Sequence, residues 1–289
     1  MARIASVLLF ALSLIGLTAA SAPASLVINS LGDSATIDFD NTVAGVNSGT
    51  LNVSNNAGYA PSPAVGQLDS DAFAVDVGSA DIPANGTGGT NAVGFGGTLT
   101  TGGNAMNQTT ATTFADPGQG LYPTTAHDSG NSGVGIRFQM EGSQLTPGAL
   151  FLKVTNSTGG TIDEIDFGFD FYSGTAGEPG SFSIDYAAGT DVVPGGSSTW
   201  TNIDTISWTG AANSAAGTDF SPGVYNLTGL GLADGEELVF RWLIDGNFGS
   251  RPDPILDNIT VSTIPEPASL ALIGLGGLAM IGRPRRRTA

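Results

Sequence analysis

Hydrophobic residues in the middle of this chain recur at every second position. The clearest run is Ile165, Phe167, Phe169 and Phe171, interleaved with Asp166, Gly168, Asp170 and Tyr172. The same alternation marks Phe182, Ile184 and Tyr186; Leu238, Phe240, Trp242 and Ile244; and Ile255, Asp257, Ile259 and Val261. A period of two puts successive side chains on opposite faces of an extended backbone, so each run reads as a half-buried strand. Leu150–Val154 and Val134–Met140 predict two more strands, and Ala35–Phe39, Thr50–Val53 and Phe73–Val77 predict weaker ones. Between residues 25 and 264 no long stretch carries a convincing helical apolar period.

Turn signals separate the runs: Asn156-Ser157-Thr158-Gly159-Gly160, Gly177-Glu178-Pro179-Gly180, Pro194-Gly195-Gly196 and Ala233-Asp234-Gly235. Many short strands with such turns predict an all-β fold, an antiparallel β-sandwich of jelly-roll type. Residues 84–120, rich in Gly, Thr and Asn, read as long loops with a strand near Phe95–Thr100. With no internal repeat and no second boundary, residues 25–262 read as one domain.

The two ends are patterned differently. Arg3, an apolar run from Ile4 to Leu17 and small residues up to Ala24 form a secretory signal peptide over residues 1–24, its core helical and too short for a membrane span. At the other end Pro265-Glu266-Pro267 is followed by an apolar stretch, Ala268 to Ile281, and then by Arg283, Arg285, Arg286 and Arg287. The prolines set a helix start just after them. Fourteen residues rise about 21 Å, short for a hydrocarbon core of about 30 Å, yet a short transmembrane helix is tolerated with local thinning and snorkelling arginines. The arginines would keep the C-terminus cytoplasmic and the domain outside.

Tripeptide, Gly/Leu/Ala helix and arginine tail, in this order over residues 263–289, resemble the PEP-CTERM sorting signal of Gram-negative bacteria. The resemblance implies recognition, and cleavage near the tripeptide, by an exosortase, a membrane-embedded transpeptidase-like enzyme. It also implies release to the cell surface or retention there. Pro265, Glu266 and Pro267 would then be substrate positions for another enzyme.

The middle is similar to an extracellular β-sandwich module of bacterial secreted proteins that end in sorting signals. The matching stretches are Ala64–Phe73, Phe151–Ile162 and Gly249–Val261. That likeness carries no activity, and it implies an adhesion or scaffold role.

Charge and composition narrow the partners. The chain of 289 residues holds 43 Gly, no Cys and one His, at a net charge of −17. Between residues 25 and 264 only Arg137, Lys153, Arg241 and Arg251 face 25 of the 26 acidic residues, a net of −21. Such a domain offers no basic surface for nucleic acid and favours a saline or calcium-containing medium. The absence of Cys removes disulfides, thiolate metal sites and Cys nucleophiles.

Candidate chemistry is sparse. By strand parity Asp257 faces the core with Ile255, Ile259 and Val261. It would be a structural Ca²⁺ ligand helped by Asp253 or Asn258, or it would cap backbone N–H groups or pair with Arg251 or Arg241. Asp69 and Asp71, in a loop-like Asp-x-Asp, could supply two or three of the six to eight oxygens Ca²⁺ takes, or form an ordinary Asp-rich turn. Asp163, Glu164, Asp166 and Asp170 read as a solvated polar face. Trp200, next to the Pro194–Thr199 loop, is the candidate sugar-stacking aromatic, against a reading as peripheral core. His127 would have to serve any Ser–His–Asp triad, and no Gly-x-Ser-x-Gly elbow is present. The sequence thus points to a non-enzymatic, exported cell-surface or exopolymer-associated structural or adhesion protein. A carbohydrate-binding module, calcium-stabilised or not, is the alternative.

Overall fold

The computed structural model describes residues 25–53, 58–77, 92–99, 120–125, 133–139, 148–173, 180–195, 198–208, 219–244 and 254–265. The signal peptide, Glu266, Pro267, the C-terminal helix and its arginines, and also His127, Arg251 and Asp253, lie outside the described residues. Within them the chain forms fifteen strands, numbered in chain order, and no helix.

One sheet, sheet A, sets β12 (Thr201–Trp208), β11 (Gly180–Gly189), β14 (Glu237–Ile244), β9 (Gly148–Asn156), β5 (Phe73–Val77) and β6 (Ala92–Val93) side by side. β1 (Leu26–Ile28) runs parallel to the end of β9. The other, sheet B, sets β13 (Val224–Leu232), β10 (Ile162–Ser173), β15 (Pro254–Thr263), β8 (Gly135–Gln139) and β7 (Gly120–Thr124) in order, with β2 (Ser34–Ile37) also on β15. A short parallel pair, β3 (Tyr59–Ala60) and β4 (Leu68–Asp69), stands apart. All other pairings are antiparallel. From β9 onward the chain crosses between sheets at every connection except the β11–β12 hairpin.

The sheets pack face to face on the alternating residues. Phe167 of β10 stacks on Phe240 of β14 with ring centroids 3.8 Å apart and planes 6° from parallel, and Trp242 sits 5.7 Å away. Phe182 of β11 meets Phe138 of β8 at 5.1 Å and Phe171 of β10 at 5.0 Å. One apolar cluster joins both sheets and takes in Ile165, Phe167, Phe169, Phe171, Ile184, Leu238 and Ile244. In β10, β11 and β14 the two-residue period therefore located the interior correctly. Aromatic pairs across it add about 0.5–1.5 kcal/mol each beyond their buried area.

Three expectations are corrected. The strand near Phe95–Thr100 is instead β6 at Ala92–Val93, and Leu99 makes only an isolated bridge to Tyr59. Thr50–Val53 forms no strand, although Leu51 is buried and its N–H bonds the Phe39 carbonyl at 2.9 Å. The third concerns the parity of β15. Gly168 pairs with Thr260 and Asp170 with Asp257, so Asn258 and Ile259 together oppose the single Phe169. Asn258 takes φ +47°, a bulge that its short amide side chain tolerates. Ahead of the bulge it is Leu256 that points into the inter-sheet cluster, so Ile255 and Asp257 share the opposite face.

Candidate functional site

Strand β15 leads straight into the tripeptide. Thr263, its last residue, is 3% exposed and pairs with Ile165. Its N–H donates to the Asp33 carbonyl at 3.0 Å. Its Oγ1 accepts from the Gly32 N–H at 2.8 Å and shares its proton between the Ser30 and Asp33 carbonyls, at 3.3 and 3.4 Å. Ile264 N–H donates to the Glu164 carbonyl at 3.3 Å. Gly32, at φ +92°, presents no Cβ where one would lie 3.4 Å from Cγ of Pro265.

The β1–β2 turn that makes this clasp is itself tied. The Asp33 carboxylate accepts from the N–H groups of Asn29 and Ser30 at 3.0 and 2.8 Å and from Ser30 Oγ at 2.6 Å. The Ser30 hydroxyl and these two amides hold the Asp33 carboxyl below the usual carboxylate range. Of the predicted sorting positions, Pro265 alone lies among the described residues, exposed beside this turn.

Asp257 is 2% exposed, and its Oδ1 accepts from the Asn258 N–H at 2.7 Å, the backbone-capping role. It stands directly opposite Asp170 on the outer side of sheet B. Asn258 Nδ2 donates to Asp170 Oδ2 at 2.8 Å. Arg241 is not its partner: that guanidinium lies in sheet A, bonded through Nε and Nη2 to Asp185 Oδ2 at 3.0 and 2.7 Å. Along the same face of sheet B, Asn226 Nδ2 bridges Glu164 Oε1 and Asp166 Oδ1 at 2.7 and 2.9 Å. A shallow groove here is lined by Gly168, Asp170, Ser221, Val224, Asn258 and Thr260. A Cβ on Gly168 would meet Thr260 Oγ1 at 2.9 Å, so glycine keeps the groove floor flat.

Asp69 and Asp71 come together around a tight turn in which Asp69 Oδ1 accepts from the Asp71 N–H at 2.9 Å. Burial pushes the Asp69 carboxyl up to about 6, against the pull of that amide and of the nearby Lys153 charge, and burial also raises Asp71. Among the described residues no three His, Cys, Asp or Glu side chains are grouped so as to hold a metal ion.

Trp200 is half-buried on the outer side of sheet A. Its ring lies 5.8 Å from Phe151, and the Arg241 guanidinium carbon sits 4.3 Å over it. One face is therefore already occupied by a cation. Below it Phe151, Ala74, Ala149, Ala187, Val192, Val239 and Phe95 form a second small apolar cluster. The sequence reading missed the clasp residues Ser30, Gly32 and Asp33, and the facing of Asp170 and Asp257. The local Ser-x-Gly-Asp turn was a visible signal for the clasp, but its partner lies over 200 residues away.

Comparison with known proteins bears on the two parts separately. The PEP-CTERM protein-sorting motif matches residues 263–287. No curated protein matches the chain significantly. Solved structures resemble it loosely. The CBM22-1 xylan-binding domain of Paenibacillus barcinonensis Xyn10C covers 83% of this chain and 99% of its own at 7% identity and a TM-score of 0.35. The cleaved K2 adhesin domain of Lys-gingipain covers 50% and 83% at 13% identity and 0.30. The Clostridium thermocellum CBM22-1–GH10 modules of xylanase 10B cover 50% of this chain at 12% identity and 0.30, and the match spans 24% of that chain. The motif implies processing by an exosortase: this chain carries a PEP-CTERM sorting signal and is an exported protein, membrane-anchored before it is sorted.

Proposed function

We propose that the β-sandwich, of jelly-roll type, is the cargo of the sorting signal and serves as a non-catalytic structural or adhesion module at the cell surface or within exopolymer. The observation that carries this reading is the direct run of β15 into Pro265: whatever the signal delivers, it delivers this sandwich. The carboxylates that sequence reading nominated support it. Asp257 and Asp69 each accept from a backbone amide, a structural use. Intact-mass measurement of the protein from envelope and medium tests the delivery. A product ending near Pro265–Pro267 is expected, and one retaining Arg283–Arg287 in both fractions would count against it. Turnover of a glycan or ester by the purified domain at ordinary enzyme rates would end the non-catalytic reading.

The groove on sheet B favours a second reading, a carbohydrate-binding module. Asp170, Asn258, Thr260 and Ser221 offer acceptors and donors around a flat glycine floor, the inventory sugar hydroxyls require. Retention on immobilised exopolysaccharide, with and without Ca²⁺, should then fall in Asn258→Ala. Loss only in Trp200→Ala would move the site to sheet A, and no retention by any form would dismiss it.

A further inference from the structure

We infer that the folded sandwich restrains its own sorting: the clasp around Thr263 and Pro265 must open before the processing enzyme can engage the tripeptide. This rests on the reading that the signal is cleaved near Pro265–Pro267. An enzyme that reads its substrate as an extended strand needs free main-chain groups beside the scissile bond. In this chain the N–H groups just upstream of the tripeptide are taken. β15 is an interior strand, flanked at its end by β10 and β2, so both of its edges are paired. Thr263 N–H and Ile264 N–H are committed to Asp33 and Glu164 carbonyls, and the Thr263 hydroxyl ties the strand end to Gly32 and Ser30. A backbone group already bonded in a sheet cannot pair with a second strand.

The clasp also leaves no spacer. Thr263 is buried, Ile264 still follows the sheet, and Pro265, itself exposed, lies beside Gly32. The gated step is the breaking of one peptide C–N bond. The tail amine leaves with a proton, and the carbonyl carbon ends on water or on an amine acceptor, an outcome the product mass reads directly. Newly exported chains, and domains whose β15 end has frayed, are thus the competent substrates.

The test is pulse-chase of the full chain in cells that process it, following precursor and product by mass. A Gly/Ser insertion of about eight residues between Ile264 and Pro265 frees the tripeptide while leaving the clasp on Thr263 intact. Thr263→Val removes the hydroxyl without changing shape, and Thr263→Ser restores it. Processing is expected to quicken on the order of tenfold in the insertion and severalfold in Thr263→Val, with Thr263→Ser at the parental rate. Equal rates for parent, insertion and Thr263→Val overturn the gate while leaving sorting intact. No processing of any form, the insertion included, overturns the cleavage reading itself.

Discussion

The outer sides of the two sheets solve one electrostatic problem in opposite ways. Each carries carboxylates on strands, where water is partly excluded. Sheet A answers with cations: Arg241 holds Asp185, whose side chain is 6% exposed, and Lys153 holds Glu237 at 3.4 Å. It spends those cations twice, since Arg241 also lies over Trp200 and Lys153 Nζ lies 4.8 Å over Phe95. Around Glu164, Asp166, Asp170 and Asp257, sheet B answers with amides. Asn226 and Asn258 donate to three of these carboxylates, and the Asn258 backbone serves the fourth. An amide satisfies lone pairs but cancels no charge. In a domain at −21 two of the three described cations, Lys153 and Arg241, sit where an apolar cluster also needs covering, and the third, Arg137, is buried on β8 of sheet B over Tyr122.

The contrast can be broken at its strongest point first. Arg241→Ala leaves the Asp185 charge buried without its guanidinium and uncovers Trp200, at a cost of about 3–5 kcal/mol in urea unfolding. Asp185→Ala on top should recover part of that loss, and strict additivity would show that the pair is not coupled. On sheet B, Asn258→Asp keeps a residue that tolerates the positive φ but sets a third carboxylate beside Asp170 and Asp257. It should cost about 2 kcal/mol in low salt and progressively less as salt rises. An effect indifferent to salt would mean geometry, not charge, is at fault. Asn226→Asp, on the exposed edge, should behave alike at about 1 kcal/mol or below.

The smallest expected effect is a pH dependence at the turn beside Lys153. Asp69 is raised in the folded state, so its contribution is favourable below its ordinary value near 3.8 and is lost as pH climbs through about 6. Asp69→Asn keeps the acceptor for the Asp71 amide. Its melting temperature should exceed the parent's above pH 6 and converge with it near pH 4, and parallel curves would assign the dependence to other groups.

What sequence could reveal follows the distance over which each feature is set. Alternation in β10, β11 and β14 is written in neighbouring residues and required by burial on one face, so it was legible. β12 and β13 lie at sheet edges, where one side is solvated; Val224 is 67% exposed, and glycines at 229 and 231 dilute the pattern. They are joined instead by Tyr225 Oη donating to Asp204 Oδ2 at 2.7 Å, a link between separate strands. The side occupied by Asp257 hinged on one bulge at Asn258, and an Asn within a strand carries no clear announcement of positive φ. Trp200 was read as the exposed aromatic because its loop was visible and Arg241, forty residues on, was not.

The placement of β1 and β2 has a consequence for the time course of export. β1 completes sheet A by pairing with β9, and Ser25 Oγ meets Thr155 Oγ1 at 2.7 Å across 130 residues of chain. β2 completes sheet B by pairing with β15, Ser34 beside Ser262. β1 thus has no partner until mid-chain β9 follows, and β2 has none until the last strand does. Closing such long loops is entropically slow, and topologies built on distant pairings fold in milliseconds to seconds, not microseconds. The chain must travel as an open thread, and its sandwich can close only once its final strand is through.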